Sequence, residues 1–338
     1  MIRACACAAA VAFAAAACST SNDSAKPPAA PSDASAGESE VAIDGDWTQI
    51  LSNPDLGELG TPDQEQVDFG IWQAADGTWQ IWECIRGTSA GGYGRLFYRW
   101  EGASLTDPSS WRPNGIALQA DTSVGEPVGS LQAPFVLRAL GKFHMFYGAW
   151  SHICHAVSDD GKTFTRVLVN GSSEAFHEGD GLPITNTRDP MVLPIDGAFR
   201  IYDSALPDHA HDADYSRTSA DLVTWSDAVE VAAGDAAGEN GPVSSECPFV
   251  VRPDGSAYYY LFRTQEYAPG HQETRVYRSK DPASFGIDDA AKYVRTLPVA
   301  APEIVQTGGQ YYILALLNDA VKGLKGVRVA KLRFTPPP

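Results

Sequence analysis

The chain has 338 residues, a formal net charge of −17 and 44% hydrophobic residues. That is enough apolar material for a large core, and the negative excess excludes partners held through phosphate, such as nucleic acid or an anionic membrane. Neutral ligands fit this charge, which also serves solubility.

The chain opens as a secretion leader. Arg3 precedes an Ala/Val/Phe-rich stretch that ends Ala15-Ala16-Ala17-Cys18, too short to span a bilayer as a helix. Small residues before Cys18 resemble a bacterial lipoprotein box, which implies lipidation of Cys18. Such boxes usually carry leucine where Ala15 stands, so ordinary signal cleavage is the alternative. Residues 19–44 are rich in Ser, Ala, Pro and Asp and read as a disordered tether. The expected order is therefore a leader over 1–18, a tether over 19–44 and one domain over 45–338. The implied place is outside the inner membrane: a surface or outer-membrane lipoprotein, otherwise a periplasmic or extracellular protein. A monomer is expected, with membrane contact only through the anchor and no nucleic-acid partner.

From residue 67 the chain repeats. Ala133-Pro134-Phe135-Val136, Asp189-Pro190-Met191-Val192, Cys247-Pro248-Phe249-Val250 and Ala301-Pro302-Glu303-Ile304 share one pattern, with prolines 56, 58 and 54 residues apart. Val67-Asp68-Phe69-Gly70-Ile71 is a first copy with Phe69 in the proline slot. An aromatic run follows each copy after a glycine turn, as in Phe143-His144-Met145-Phe146-Tyr147 and Tyr258-Tyr259-Tyr260-Leu261-Phe262, a hairpin signal. Asp107, Asp160, Asp221 and Asp281 then precede Trp111, Phe164, Trp225 and Phe285 by four residues. An aspartate that turns the chain and an aromatic that fills a gap between sheets form a structural device. Five such units predict an all-β fold, a five-bladed β-propeller. Proline at the first residue of a strand removes no ladder hydrogen bond, which explains its recurrence.

The remaining cysteines, Cys84, Cys154 and Cys247, are odd in number. Cys84 and Cys154 sit in strand contexts that suit buried free thiols, with a disulfide between them as the alternative. His144, His152 and His155 read as structural residues. No zinc-type Cys/His spacing occurs.

Asp68, Asp189 and Glu246 each open a unit, so the reading places three carboxylates at equivalent points around one mouth. Cleavage of a glycosidic bond needs a proton donor for the leaving oxygen and a carboxylate across the sugar. A third acid nearby keeps the donor protonated. Asp68 is assigned as base, Asp189 as modulator and Glu246 as acid. Arg188, Gln132, Arg86, Trp72 and Trp150 are the expected substrate-binding residues, the arginines for sugar hydroxyls and the tryptophans for stacking.

These residues resemble the five-bladed propeller glycoside hydrolases of families 43, 32, 68 and 117. Arg188-Asp189-Pro190 is similar to the Arg-Asp-Pro motif of family 32, and Glu246-Cys247 to its Glu-Cys motif. Gln132-Ala133-Pro134 is similar to the second-blade segment of family 43. The first blade departs, because Val67-Asp68-Phe69-Gly70-Ile71 stands where family 32 carries Asn-Asp-Pro-Asn-Gly. The resemblance thus implies an inverting hydrolase of neutral glycans, exo-acting on furanosides such as arabinofuranosides. Long segments at 86–94, 170–187 and 264–274 suit a walled pocket. Some relatives hold a channel calcium through a last-blade histidine; none follows His271 here, so no metal or cofactor is predicted. The alternatives are a glycan-binding lipoprotein without catalysis, a family 32-like retaining fructosidase and a family 130-like phosphorylase.

Overall fold

Short runs of β-branched and aromatic residues, cut by glycine turns, leave each strand one face to bury and no length for a helix. The computed structural model describes residues 40–234, 245–268, 270–287, 289–319 and 324–335. The leader, Cys18 and residues 19–39 lie outside the described residues. Five three-residue 3₁₀ turns are the only helical segments among the described residues. The rest is a five-bladed β-propeller.

Each blade is built on an antiparallel sheet laid down from the axis outward, and blade three adds one parallel pair at its outer edge, Val229–Ala233 with Gly286–Ile287. Blade one consists of Glu65–Gln73, Trp79–Arg86, Leu96–Gly102 and Trp111–Leu118. Blades two, three and four begin with the innermost strands Leu131–Ala139, Arg188–Ile195 and Glu246–Val251. Neighbouring innermost strands pack against one another in chain order, and the fifth, Glu303–Thr307, returns to the first.

The ring is closed by the chain's own start. Val41–Ser52 forms the outer strand of blade five against Leu324–Phe334, with Val41 opposite Phe334 and Asp44 opposite Lys331. Among the described residues, strand structure is thus present from Val41, four residues before the expected boundary at 45. Val41 is fully buried and Ile43 packs on the same core, an alternation hidden by the flanking Gly and Asp.

The aspartate turns do what their spacing suggests. The Asp160 carboxylate accepts the backbone N–H groups of Lys162 and Thr163 at 2.7 and 2.8 Å, and Asp221 accepts those of Val223 and Thr224 at 2.9 and 2.7 Å. The following aromatic fills the joint with the preceding blade. Phe164 meets Trp72 and Trp82 of blade one, Trp225 meets Phe146 and Phe176 of blade two, and Phe285 meets Tyr202 of blade three. Near the axis the blades nearly touch. A Cβ on Gly70 would lie 2.0 Å from the Pro134 carbonyl oxygen, so only glycine fits there.

Cys84 and Cys154 are buried free thiols. His144 and His155 sit 2.9 Å apart, nitrogen to nitrogen, inside blade two. Burial pushes both imidazoles down, His155 to about 3, which keeps them neutral.

Candidate active site

Four innermost strands begin with the same kink. Ala133, Asp189, Cys247 and Ala301 each precede a proline and have positive φ values of 34°, 57°, 49° and 45°. In blades two, three and four the register with the next strand slips across this point. A left-handed non-glycine residue costs about 1–2 kcal/mol, and such strain persists where the surroundings enforce it. A bulge re-aims a side chain. Here it turns the kink residue toward the axis. Asp68, Ala133, Asp189, Cys247 and Ala301, one from each blade, line a cavity of ≈ 20 Å³, room for about one water.

The register differs from the expected one in a single respect. Asp68 and Asp189 share their place with Cys247, whereas Glu246 stands one residue earlier, level with Arg188 and Gln132. Cys247 consequently ties the two aspartates together. Its amide donates to Asp189 Oδ2 at 3.0 Å and its thiol to Asp68 Oδ1 at 3.3 Å. The Tyr267 hydroxyl lies 2.9 Å from the sulfur.

Asp68 is 7% exposed. Burial, followed by the charge of Asp189, pushes its carboxyl up to about 7, with Arg95 pulling the other way. Arg95 Nη1 lies 3.9 Å from Asp68 Oδ2. Arg95 is held firmly, since its backbone N–H donates to the Gly129 carbonyl at 2.9 Å.

The Glu246 side of the site is a chain of hydrogen bonds across three blades. Trp150 N–H donates to Gln132 Oε1 at 3.1 Å, and Gln132 Nε2 donates to Asn186 Oδ1 at 3.2 Å. The Asn186 carbonyl accepts Arg188 Nη1 at 3.1 Å. Arg188 Nε and Nη2 then donate to Glu246 Oε1 at 3.2 and 2.9 Å, and Nη2 also to Asp212 Oδ2 at 2.8 Å. Burial raises the Glu246 carboxyl, Arg188 opposes this, and Asp189 adds to it.

Asp68, Asp189 and Cys247 place one oxygen or sulfur each within 4.8 Å of one another, a spacing close enough for a metal. Burial pushes the Cys247 thiol well above its usual range, in keeping with a protonated sulfur that donates to Asp68. The trio is a pair of acids bridged by Cys247, through its amide to Asp189 and its thiol to Asp68.

The structure thus brings together Asp68, Asp189, Glu246, Arg188 and Gln132. Trp150 joins them through its backbone, and its ring stacks on Tyr93 at 4.0 Å with the Arg95 guanidinium 5.0 Å from its centroid. Two expected binding residues are elsewhere. Trp72 is buried between blades one and two, where its indole N–H donates to the Gly161 carbonyl at 2.7 Å. It shares a strand face with Asp68 but sits four residues along it, about 13 Å away. Arg86 is exposed and paired with Glu65 at 2.6 Å, a strand-end ion pair outside the cavity lining.

Sequence reasoning missed Arg95, Cys247, Tyr267, Asp212 and Glu303. Glu303 lines the cavity, and burial pushes its carboxyl well up, with Asp68 contributing. Its place in the fifth repeat copy was a usable signal. Arg95 had one too, at the end of the glycine-dense Gly91-Gly92-Tyr93-Gly94 loop.

Fold and site define a class: a five-bladed β-propeller whose axial cavity carries paired aspartates beside an Arg-clamped glutamate. No protein-family model and no curated protein sequence matches the chain significantly. Similarity appears in structure. A thermostable family-43 glycoside hydrolase superposes with a TM-score of 0.58 at 18% identity, over 84% of this chain and 92% of its own. An exo-1,5-α-L-arabinanase from a bovine ruminal metagenomic library gives 0.58 at 17% identity, over 80% and 94%. The catalytic domain of the Coprinopsis cinerea GH62 α-L-arabinofuranosidase gives 0.57 at 14% identity, over 87% and 97%.

Proposed function

We propose that this protein is a glycoside hydrolase acting on a neutral glycan, by exo attack on furanosides such as arabinofuranosides and with inversion. The observation that carries the reading is the water-sized axial cavity bounded by Asp68 and Asp189, with Glu246 held alongside by Arg188. Asp68 takes the proton of a water placed there, and Glu246 protonates the leaving oxygen. Asp189 adds negative charge that raises the proton affinity of both. General acid–base assistance of this kind contributes about 10²–10⁴-fold in rate. The structurally similar arabinanase and arabinofuranosidase support a pentofuranoside substrate. The proposal includes export, with Cys18 as lipid anchor, on the strength of the leader sequence.

A screen of aryl furanosides and pyranosides, with proton NMR of the first anomer released, tests this. Release with inverted configuration supports it, and release with retained configuration removes the inverting step. A second reading rests on the double hydrogen bond from Arg188 to Glu246, which favours the ionised acid and suits a non-catalytic glycan-binding surface. Calorimetric sugar binding without product would select it.

A further inference from the structure

A general acid must hold a proton, yet Glu246 lies against a guanidinium. The resolution lies behind Arg188. Asp212 is fully buried, and its Oδ2 accepts Arg188 Nη2 at 2.8 Å and the Ser245 amide at 3.2 Å. Oδ1 has no hydrogen-bond partner among the described residues. A buried carboxylate needs a counter-charge, and Arg188 is the only cation bonded to Asp212 among the described residues. One positive charge therefore stands between two carboxylates, with Asp189 as a third at 3.6 Å.

We infer that Asp212 is a positioning residue for the reaction: it shares Arg188 Nη2 with Glu246, draws on the guanidinium as its own counter-ion and so leaves Glu246 free to carry the proton it donates. This rests on the proposed role of Glu246 and deepens it. Without Asp212 the guanidinium charge is shared by Glu246 and the more distant Asp189 alone, and Glu246 ionises more readily. Two acids straddling one base titrate as a unit. The other groups facing the unit are Asp214 and, behind it, Arg263 on the Asp212 side. On the Glu246 side they are Asp189, Arg95 and Tyr267. Burial raises the Asp212 carboxyl well above its usual range, and the direct Arg188 bond, which favours the charged form, opposes this without cancelling it. The direct bond is what the inference uses.

The test reads Glu246 itself and needs no substrate. Protein labelled with ¹³C at the glutamate side-chain carboxyls is titrated, and the Glu246 signal is assigned with Glu246→Gln. In Asp212→Asn the proton affinity of Glu246 should fall about tenfold, while Asp212→Glu should keep the native titration. Asp212→Ser removes the same charge and stands in if the amide variant does not fold. An unchanged Glu246 titration in the charge-removing variants overturns the inference, whether or not the protein cleaves a glycoside. If it does, the alkaline limb of kcat/KM should move to lower pH by the same factor. A merely structural role would lower activity at every pH alike. A protein that hydrolyses nothing defeats the proposed function and leaves the titration result standing.

Discussion

Replacing Arg95 with methionine should take away activity at mildly acidic pH while sparing it at alkaline pH. Arg95 is the cation nearest Asp68, at 3.9 Å, and the two side chains are 13% and 10% exposed. With an effective dielectric of about 20, two unit charges at that distance attract by roughly 4 kcal/mol. Solvent at the mouth and local relaxation reduce this, and measured effects of a single close charge span about one to three pH units. As the proposed base, Asp68 works only when ionised, and burial has already pushed its carboxyl up to about 7. Loss of the one charge that pulls it down must move it higher. The acid limb of kcat/KM should therefore shift up by one to three pH units in Arg95→Met. Arg95→Lys, which keeps the charge but not the guanidinium over the Trp150 ring, should fall between. Profiles measured from pH 4.5 to 9.5 on an aryl glycoside decide it. An acid limb in Arg95→Met that overlays the native one refutes the electrostatic reasoning and the assignment of Asp68 as base.

Other outcomes follow from the same geometry. Trp72→Ala should lower stability but leave the activity of folded protein within about twofold, and Arg86→Ala should alter neither appreciably, since surface ion pairs contribute about 0–1 kcal/mol; urea denaturation with parallel kinetics checks both. Phe285→Ala opens the joint between blades three and four and should reduce unfolding free energy by about 3–5 kcal/mol. Glu83 is buried against the Trp100 indole, and burial pushes its carboxyl up to about 8. The unfolded chain loses that proton first, so this group lowers stability as pH rises from about 4.5 to 8. Glu83→Gln, which resembles the neutral form, should raise Tm at pH 9 and leave it unchanged at pH 4; equal gains at both would contradict the linkage.

The fold was legible because its signals are local and repeated. Proline at the start of four of the five innermost strands, the Asp-x-x-x-aromatic turns and the aromatic middle strands each report on a few residues, and the period joins them. Val41–Ser52 was not legible as the outer strand of blade five, because its partner is the last strand of the chain and no local pattern encodes that closure. Within the site, Asp68, Asp189, Glu246 and Arg188 come from the repeat and were visible. Arg95 and Asp212 lie on connections whose composition resembles ordinary solvated loops. Only long-range packing brings them to the axis. Trp72 shows the opposite failure: period two gives the face of a strand but not the depth at which a side chain meets its neighbours.

The roles of Asp68 and Glu246 are separated most directly by the leaving group. Activity should be followed on a set of aryl glycosides whose phenols range from weakly to strongly acidic. Glu246→Gln should lose about 10²–10⁴-fold on the poorest leaving group and recover most of it on the best, which departs without a proton. Asp68→Asn should stay low on all of them. Equal losses across the set for Glu246→Gln, or native rates in either variant, would contradict the account.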